Sequence, residues 1–328
     1  MVFYSIFKRD KRNDERLTRR KNMEKKKNDN LYKFSVETPV KFALLALVYA
    51  IGAAGAPREL FCYIFGKSLA LSSLSTFLVK IICAIVPVWL IFEIKAEKIL
   101  RPKISLKGIL LTLPFLIVAL NNFPFLPLFS GSAELLTNEF IDFFCYFLAC
   151  FGISVFEESV FRGVIFSALY RKFCVEKNAS GALAGDRLKN EQNDVFTPEN
   201  NEKRAKKYKY GEFWAVALSS VLFGAVHLVN LIAGAGIVPV IAQMGYSFLI
   251  GAMCAIAMLE TGNIYSAVIL HAVFDFGGLL TDCGFLSGTI WTVENVILTA
   301  VVGVIVAVYA ICLLFLPRKN KRKSLLEN

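Results

Sequence analysis

The chain has 328 residues, of which 56% are hydrophobic and only 19% are charged. A soluble domain of this size carries more charge, so the composition excludes an ordinary globular protein and indicates a membrane-embedded one. The net charge of +11 would also suit a nucleic-acid-binding protein. However, the basic residues lie in the termini and in loops between apolar stretches, where membrane proteins keep their cytoplasmic charge. We therefore expect this chain to contact the lipid bilayer and no nucleic acid.

Apolar stretches recur along the whole chain, and a bilayer-spanning helix needs about 20 such residues. In chain order the eight candidates are Phe42–Ala56, Leu69–Phe92, Gly108–Phe129, Phe140–Tyr170, Phe213–Ala233, Ile237–Leu259, Ile264–Leu280 and Ile290–Leu316. The first of these is the weakest because it is short. The sequence therefore predicts an all-α, multi-pass membrane protein with about eight transmembrane helices.

The loops between these candidates differ sharply in charge. Basic residues concentrate in Lys95–Lys107, Arg171–Gly211 and Arg318–Lys323, whereas the other connections hold few or none. With eight spans and both termini in the cytoplasm, every basic segment falls on the cytoplasmic side, as the positive-inside rule requires. Seven spans would place one basic tail outside. We therefore predict an integral protein of the plasma membrane with both termini cytoplasmic.

Composition divides the chain into four parts. Residues 1–37 are predicted to form a basic cytoplasmic tail, and the segment 171–211 is predicted to be a mobile polar insertion, since it has no periodic apolar face. The parts are the tail 1–37, N-terminal transmembrane helices over 38–138, a catalytic core over 139–281 that contains the insertion, and a last helix with a basic tail over 282–328.

The fourth candidate span contains three charged residues, Glu157, Glu158 and Arg162, although charge inside a membrane is costly. Glu158 and Arg162 are four residues apart, so they share a helix face and can form an ion pair. A purely structural role for that pair is as plausible as a functional one. Glu157 has no partner at helical spacing, so it must face a polar cavity, a partner from another helix, or hold its proton. It is therefore the stronger candidate for chemistry.

Both histidines of the chain, His227 and His271, lie inside predicted spans. Asp275 follows His271 by four residues and lies on the same helix face, where it can accept a hydrogen bond from the imidazole or share a ligand with it. Helix rise places Glu157 and His227 about 21 and 22 Å above the cytoplasmic ends of their spans, and His271 and Asp275 about 12 and 18 Å. Three helices therefore bring ionisable groups to comparable depth, which indicates one shared polar site.

These residues form three motifs in order: Glu157-Glu158-x-x-x-Arg162, then Phe223-x-x-x-His227, then His271-x-x-x-Asp275. Together they resemble the motifs of the CAAX-processing and bacteriocin-processing (CPBP) family of intramembrane proteases, including its CAAX prenyl protease 2-like members. The resemblance covers about Phe140–Gly278. It implies a helical membrane fold with a polar cavity open to the cytoplasm, and an endopeptidase activity on membrane-associated peptides or proteins.

The resemblance also implies a role for each polar residue. Glu157 would activate water, His227 would help to hold that water, and His271 and Asp275 would stabilise the oxyanion or orient the scissile carbonyl. Asp275 stands where the family often has Asn, and an ionised Asp cannot donate a hydrogen bond. It is therefore expected to be protonated, to orient His271, or to bind a metal.

Metal dependence stays open at the level of sequence. Glu157, His227, His271 and Asp275 are the ligands available to Zn²⁺ or another divalent ion, but the zinc-protease pattern His-Glu-x-x-His is absent. We favour a mechanism that requires no cofactor.

Two alternatives remain for the function: a proton-coupled transporter, against which the absence of inverted repeats counts, and a non-catalytic scaffold or immunity protein of the same fold. The substrate is left open between a CAAX-type protein and a leader peptide, and the oligomeric state is not predicted.

Overall fold

The computed structural model describes residues 30–54, 68–102, 105–174, 198–290 and 292–315. Helices dominate this part of the chain. They are α1 (Asn30–Glu37), α2 (Pro39–Ala54), α3 (Leu69–Glu93), α4 (Leu106–Asn121), α5 (Phe125–Ser130), α6 (Phe140–Glu158), α7 (Ser167–Cys174), α8 (Pro198–Ala225), α9 (Val229–Ile232), α10 (Ile237–Thr261), α11 (Tyr265–Gly278) and α12 (Val293–Phe315). Two short strands, β1 (Ala133–Leu135) and β2 (Leu286–Gly288), pair antiparallel. The prediction of an all-α membrane fold is confirmed.

Six helices of the described residues are long and apolar enough to cross a membrane. They are Leu69–Glu93, Leu106–Ser130, Phe140–Cys174, Tyr210–Ile232, Ile237–Thr261 and Val293–Phe315. The bent pair of α1 and α2 raises the number to seven if it counts as one span. The predicted seventh span corresponds to α11, which has 14 residues and a length of about 21 Å. The chain is thus an integral membrane protein, and the number of eight spans stays a prediction.

Contacts at both ends of α11 show that it nevertheless runs the length of the bundle. Before its first residue, the backbone N–H of Ile264 donates to the carbonyl of Ile99 over 2.9 Å. Near its last turn, the Asn122 amide donates to the carbonyl of Phe274 over 2.7 Å. Ile99 and Asn122 flank α4, so α11 lies alongside α4 from one end to the other. We call the end that carries Lys95, Lys98, Arg101 and Lys107 the basic end.

A small residue permits the close contact at the other end of α11. A Cβ at Gly277 would lie 2.5 Å from the backbone nitrogen of Phe123, closer than such atoms approach. Next to this contact, the β1–β2 ribbon and a buried cluster around Tyr146 and Phe285 pack together. This ribbon lies at the end opposite to the basic end, because β1 follows α5 and β2 precedes α12.

Two predicted polar segments are partly helical, contrary to expectation. Residues 30–37 of the predicted tail form α1, which meets α2 at 109°, and its Phe34 packs against the core. Of the predicted insertion 171–211, residues 171–174 end α7 and residues 198–211 begin the 28-residue helix α8. These residues are helical although they have no apolar face, because they continue the backbone hydrogen bonding of the adjoining span. The remainder, residues 1–29 and 175–197, lies outside the described residues.

Candidate active site

Glu157 and Glu158 are the last two residues of α6, and the chain then continues as a π-helical segment, Ser159–Phe166, before α7. All eight residues of that segment are buried. A π-helix changes the direction of the side chains that follow it, and such segments are frequent at functional sites. Arg162 lies within the segment, so its orientation depends on this local change of helical geometry.

Glu158 contacts both Arg162 and His271 inside the bundle. Its Oε2 lies 3.0 Å from Nε of Arg162, the i,i+4 pair that the spacing predicted. Its Oε1 lies 2.7 Å from Nδ1 of His271, a contact across 113 residues of sequence. The Glu158 side chain is fully buried and Arg162 is 1% exposed. A carboxylate in this position accepts the Nδ1 hydrogen and fixes the orientation of the ring. Glu158 is therefore more than the partner of Arg162.

The other ring nitrogen of His271 faces two further carboxylates. Nε2 lies 3.4 Å from Oδ1 of Asp275 and 3.8 Å from Oε2 of Glu157. The Glu157 side chain is 21% exposed, whereas that of His271 is 4% exposed. Glu157 is thus the most accessible member of this cluster, and the prediction that α6 and α11 bring their ionisable groups to one depth agrees with these distances.

The ring of Phe223 connects the second motif to the others. The guanidinium carbon of Arg162 lies 4.5 Å from its centroid. The rings of His271 and His227 meet it edge-on, with centroids 5.5 and 5.8 Å away. His227 itself lies in a 3₁₀ turn, Val226–Leu228, at the end of α8. The structure therefore brings His227 to the cluster through a shared aromatic neighbour.

The guanidinium of Arg162 fills a space that a glycine leaves open. A Cβ at Gly251 of α10 would lie 3.1 Å from Nη2 of Arg162 and 3.0 Å from Phe223. Among the residues that the structure describes, Nη1 and Nη2 have no hydrogen-bond partner. The ring of Phe223 and the carboxylate of Glu158 are then the main groups that stabilise this buried cation.

Part of the sequence matches a known protein family. Residues 139–277 match the family model described as type II CAAX prenyl endopeptidase, Rce1-like. This segment is Rce1-like. The resemblance that the three motifs carried is thereby confirmed, and the matched residues contain all six predicted site residues. No curated protein and no solved structure matches the chain.

The matched family model is described as an endopeptidase, so the match favours an enzyme over the transporter and the scaffold. Whether the site can hold a metal ion depends on how its possible ligands are arranged. In the described part of the chain, no group of three or more His, Cys, Asp or Glu residues is arranged to hold a metal ion. In this arrangement Nδ1 of His271 contacts Glu158, so only Nε2 of this histidine could coordinate a metal.

Two residues of the Rce1-like region were missed by sequence reasoning. The Tyr146 hydroxyl lies 2.9 Å from the carbonyl of Phe276 and 3.2 Å from that of Asp275, and Phe223 contacts three site residues, as described above. Tyr146 gave a weak signal, since it is a polar side chain in the apolar span of α6. Phe223 belonged to a motif, but spacing alone did not indicate its contacts.

Proposed function

We propose that this chain is an intramembrane endopeptidase that hydrolyses a peptide bond of a membrane-associated peptide or protein, with Glu157 as the base that activates water. The observation that carries the proposal is the position of Glu157, the most exposed carboxylate of the cluster, 3.8 Å from His271. A general base must reach the water and still be held in place. Here the neighbouring Glu158 supplies the fixed contacts, which leaves Glu157 free to accept a proton.

The reaction adds one water across the peptide bond. Glu157 takes a proton from water while the water oxygen attacks the carbonyl carbon, and negative charge develops on the carbonyl oxygen. The carbon–nitrogen bond then breaks, and the proton passes from Glu157 to the leaving amine. The products are a new carboxyl group and a new amine, so neither an oxidant nor a covalent enzyme intermediate is required.

The developing oxyanion needs a hydrogen-bond donor that is already in position. We assign this role to His227 and to Nε2 of His271. Because Nδ1 of His271 lies against the Glu158 carboxylate, Nδ1 carries a hydrogen, and Nε2 can donate only when the ring is an imidazolium. Asp275, 3.4 Å from Nε2, supports that cationic form and so acts as the orienting residue for His271.

The family match indicates a candidate substrate, and the distribution of basic residues indicates an orientation in the membrane. The family description makes a prenylated peptide with a C-terminal Cys-aliphatic-aliphatic-X sequence the first candidate substrate. We expect the protein to lie in the plasma membrane. Its basic end is expected to face the cytoplasm, as the positive-inside rule predicts. Both termini would then be cytoplasmic, and the substrate would enter from the cytoplasmic side of the bilayer.

Hydrolysis of such a peptide by the purified full-length protein in detergent tests the proposal. Glu157→Gln keeps the shape of the side chain but removes the base. The rate of hydrolysis should therefore fall by about 10²–10⁴-fold, without a change in the unfolding temperature. Glu139→Gln is the matched control, since Glu139 is exposed and its side chain makes no capping bond. Equal rates for Glu157→Gln and the wild type would overturn the assignment of the base.

A further inference from the structure

Lys80 is a cation in the middle of α3, which runs from Leu69 to Glu93. Helix rise places it about 17 Å from the first residue of the helix and about 20 Å from the last. Charged residues at such a depth are rare, and they usually pair with another group or mark a functional pathway. The mechanism proposed above makes no use of this lysine.

The ammonium of Lys80 is held by neutral groups. Nζ lies 3.4 Å from the carbonyl oxygen of Ala53, in the last turn of α2, and 5.1 Å from the ring centroid of Phe156. The Tyr49 ring lies 6.4 Å from the same Phe156 ring, so α2, α3 and α6 meet here. Within the described residues, no carboxylate lies at ion-pair distance from Lys80.

This position is next to the proposed base. Phe156, which lies under the ammonium, immediately precedes Glu157 in α6, so the ammonium lies one residue from the proposed base along that helix. Lys80 is also partly exposed within the bundle. A partly exposed cation beside the base, without an anion of its own among the described residues, suits a negatively charged group of the substrate.

We infer that Lys80 binds the C-terminal carboxylate of the peptide substrate. The inference rests on the proposed endopeptidase function and adds to it a residue that determines specificity for the free C-terminus of the peptide. A carboxylate in the apolar region of the membrane requires a cation nearby. An ammonium at the level of Glu157 supplies one and sets the distance between the cleaved bond and the chain end.

A structural role for Lys80 predicts a different behaviour. Lysine side chains stabilise the last carbonyl groups of a helix, and the Ala53 contact is of this kind. If that were its whole role, replacing Lys80 would destabilise the protein and would affect every substrate equally. The inference instead predicts an effect that depends on the charge at the substrate's C-terminus.

The experiment compares two prenylated Cys-aliphatic-aliphatic-X peptides that differ only in a C-terminal carboxylate or carboxamide. Cleavage is measured as kcat/KM with the full-length protein, and binding is measured as Kd with Glu157→Gln. The wild type should prefer the carboxylate by about tenfold or more. Lys80→Met should lose this preference, and Lys80→Arg should retain most of it. Lys107→Met, which removes an exposed charge at the basic end, should leave the preference unchanged.

Equal cleavage and binding of the two peptides by the protein with Lys80 intact would overturn the inference while leaving the endopeptidase function in place. An equal loss on both peptides in Lys80→Met would overturn it in favour of the structural role. If neither peptide is cleaved but the carboxylate form binds more tightly in a Lys80-dependent manner, the subsite stands and the proposed function fails.

Discussion

Nδ1 of His271 lies 2.7 Å from Oε1 of Glu158, so the histidine of the third motif is held by a carboxylate of the first. The same carboxylate pairs with Arg162 through its other oxygen. One fully buried side chain thus fixes both a guanidinium and an imidazole. Glu157, the adjacent residue, faces the opposite nitrogen of that imidazole. We therefore propose separable roles for the two consecutive glutamates, one positional and one chemical.

Replacing Glu158 should affect folding as well as hydrolysis. Glu158→Ala leaves Arg162 buried without its carboxylate, and the loss of one partner of a buried ion pair costs about 3–5 kcal/mol. The unfolding temperature in detergent should drop clearly, and hydrolysis should be lost because His271 is no longer oriented. Glu139→Ala, at an exposed position, serves as the control. An unfolding temperature equal to that of the wild type would contradict this role.

The contact at Gly277 should be sensitive to a single methyl group. Gly277→Ala places a Cβ against the backbone of Phe123, and because the obstacle is backbone, α11 must shift. We expect a loss of about 1–3 kcal/mol in stability and slower hydrolysis, since Asp275 and His271 lie on the same helix. Gly245→Ala has no neighbouring atom within 4 Å and should retain full activity. Normal activity of Gly277→Ala would show that the site tolerates movement of α11.

Tyr146 should matter for the site and not only for stability. Tyr146→Phe removes the hydroxyl that contacts the carbonyls of Asp275 and Phe276, at a cost of about 1–3 kcal/mol. Tyr309→Phe is a matched control, because it also removes a hydroxyl that donates to a backbone carbonyl, that of Leu111, 2.8 Å away. Thermal unfolding should detect both changes, whereas kcat should fall only for Tyr146→Phe. A similar fall in kcat for both variants would indicate a general effect of stability.

Chelators should leave the hydrolysis rate unchanged. The described residues offer no arrangement of three or more ligands for a metal, and the proposed mechanism uses the carboxylate of Glu157 directly. The purified protein would be incubated with EDTA or 1,10-phenanthroline before the peptide is added. Inhibition that Zn²⁺ reverses would refute the cofactor-free mechanism and would require a rearranged site.

Much of the fold class and the identity of the site residues could be predicted from the sequence. Apolar length indicates a membrane helix whatever its neighbours are, because the bilayer sets that length. Charged residues inside such a helix stand out because they are unfavourable there, which is how Glu157, His227 and His271 were found. The spacing of Glu158 and Arg162 also predicted their ion pair, since helical periodicity relates residues of one helix.

Contacts between helices required the tertiary structure. Periodicity gives the face of a helix on which a residue lies, but packing sets the rotation and depth of each helix. Spacing therefore could not predict the bond from Glu158 to His271. It also could not predict that Phe223 lies among Arg162 and the two histidines. The π-helical turn after Glu158 and the close contact at Gly277 decide those rotations. The sequence by itself indicated which residues are the candidates for the chemistry. Tertiary packing decided which of their atoms meet, because that choice depends on close contacts between helices far apart in the chain.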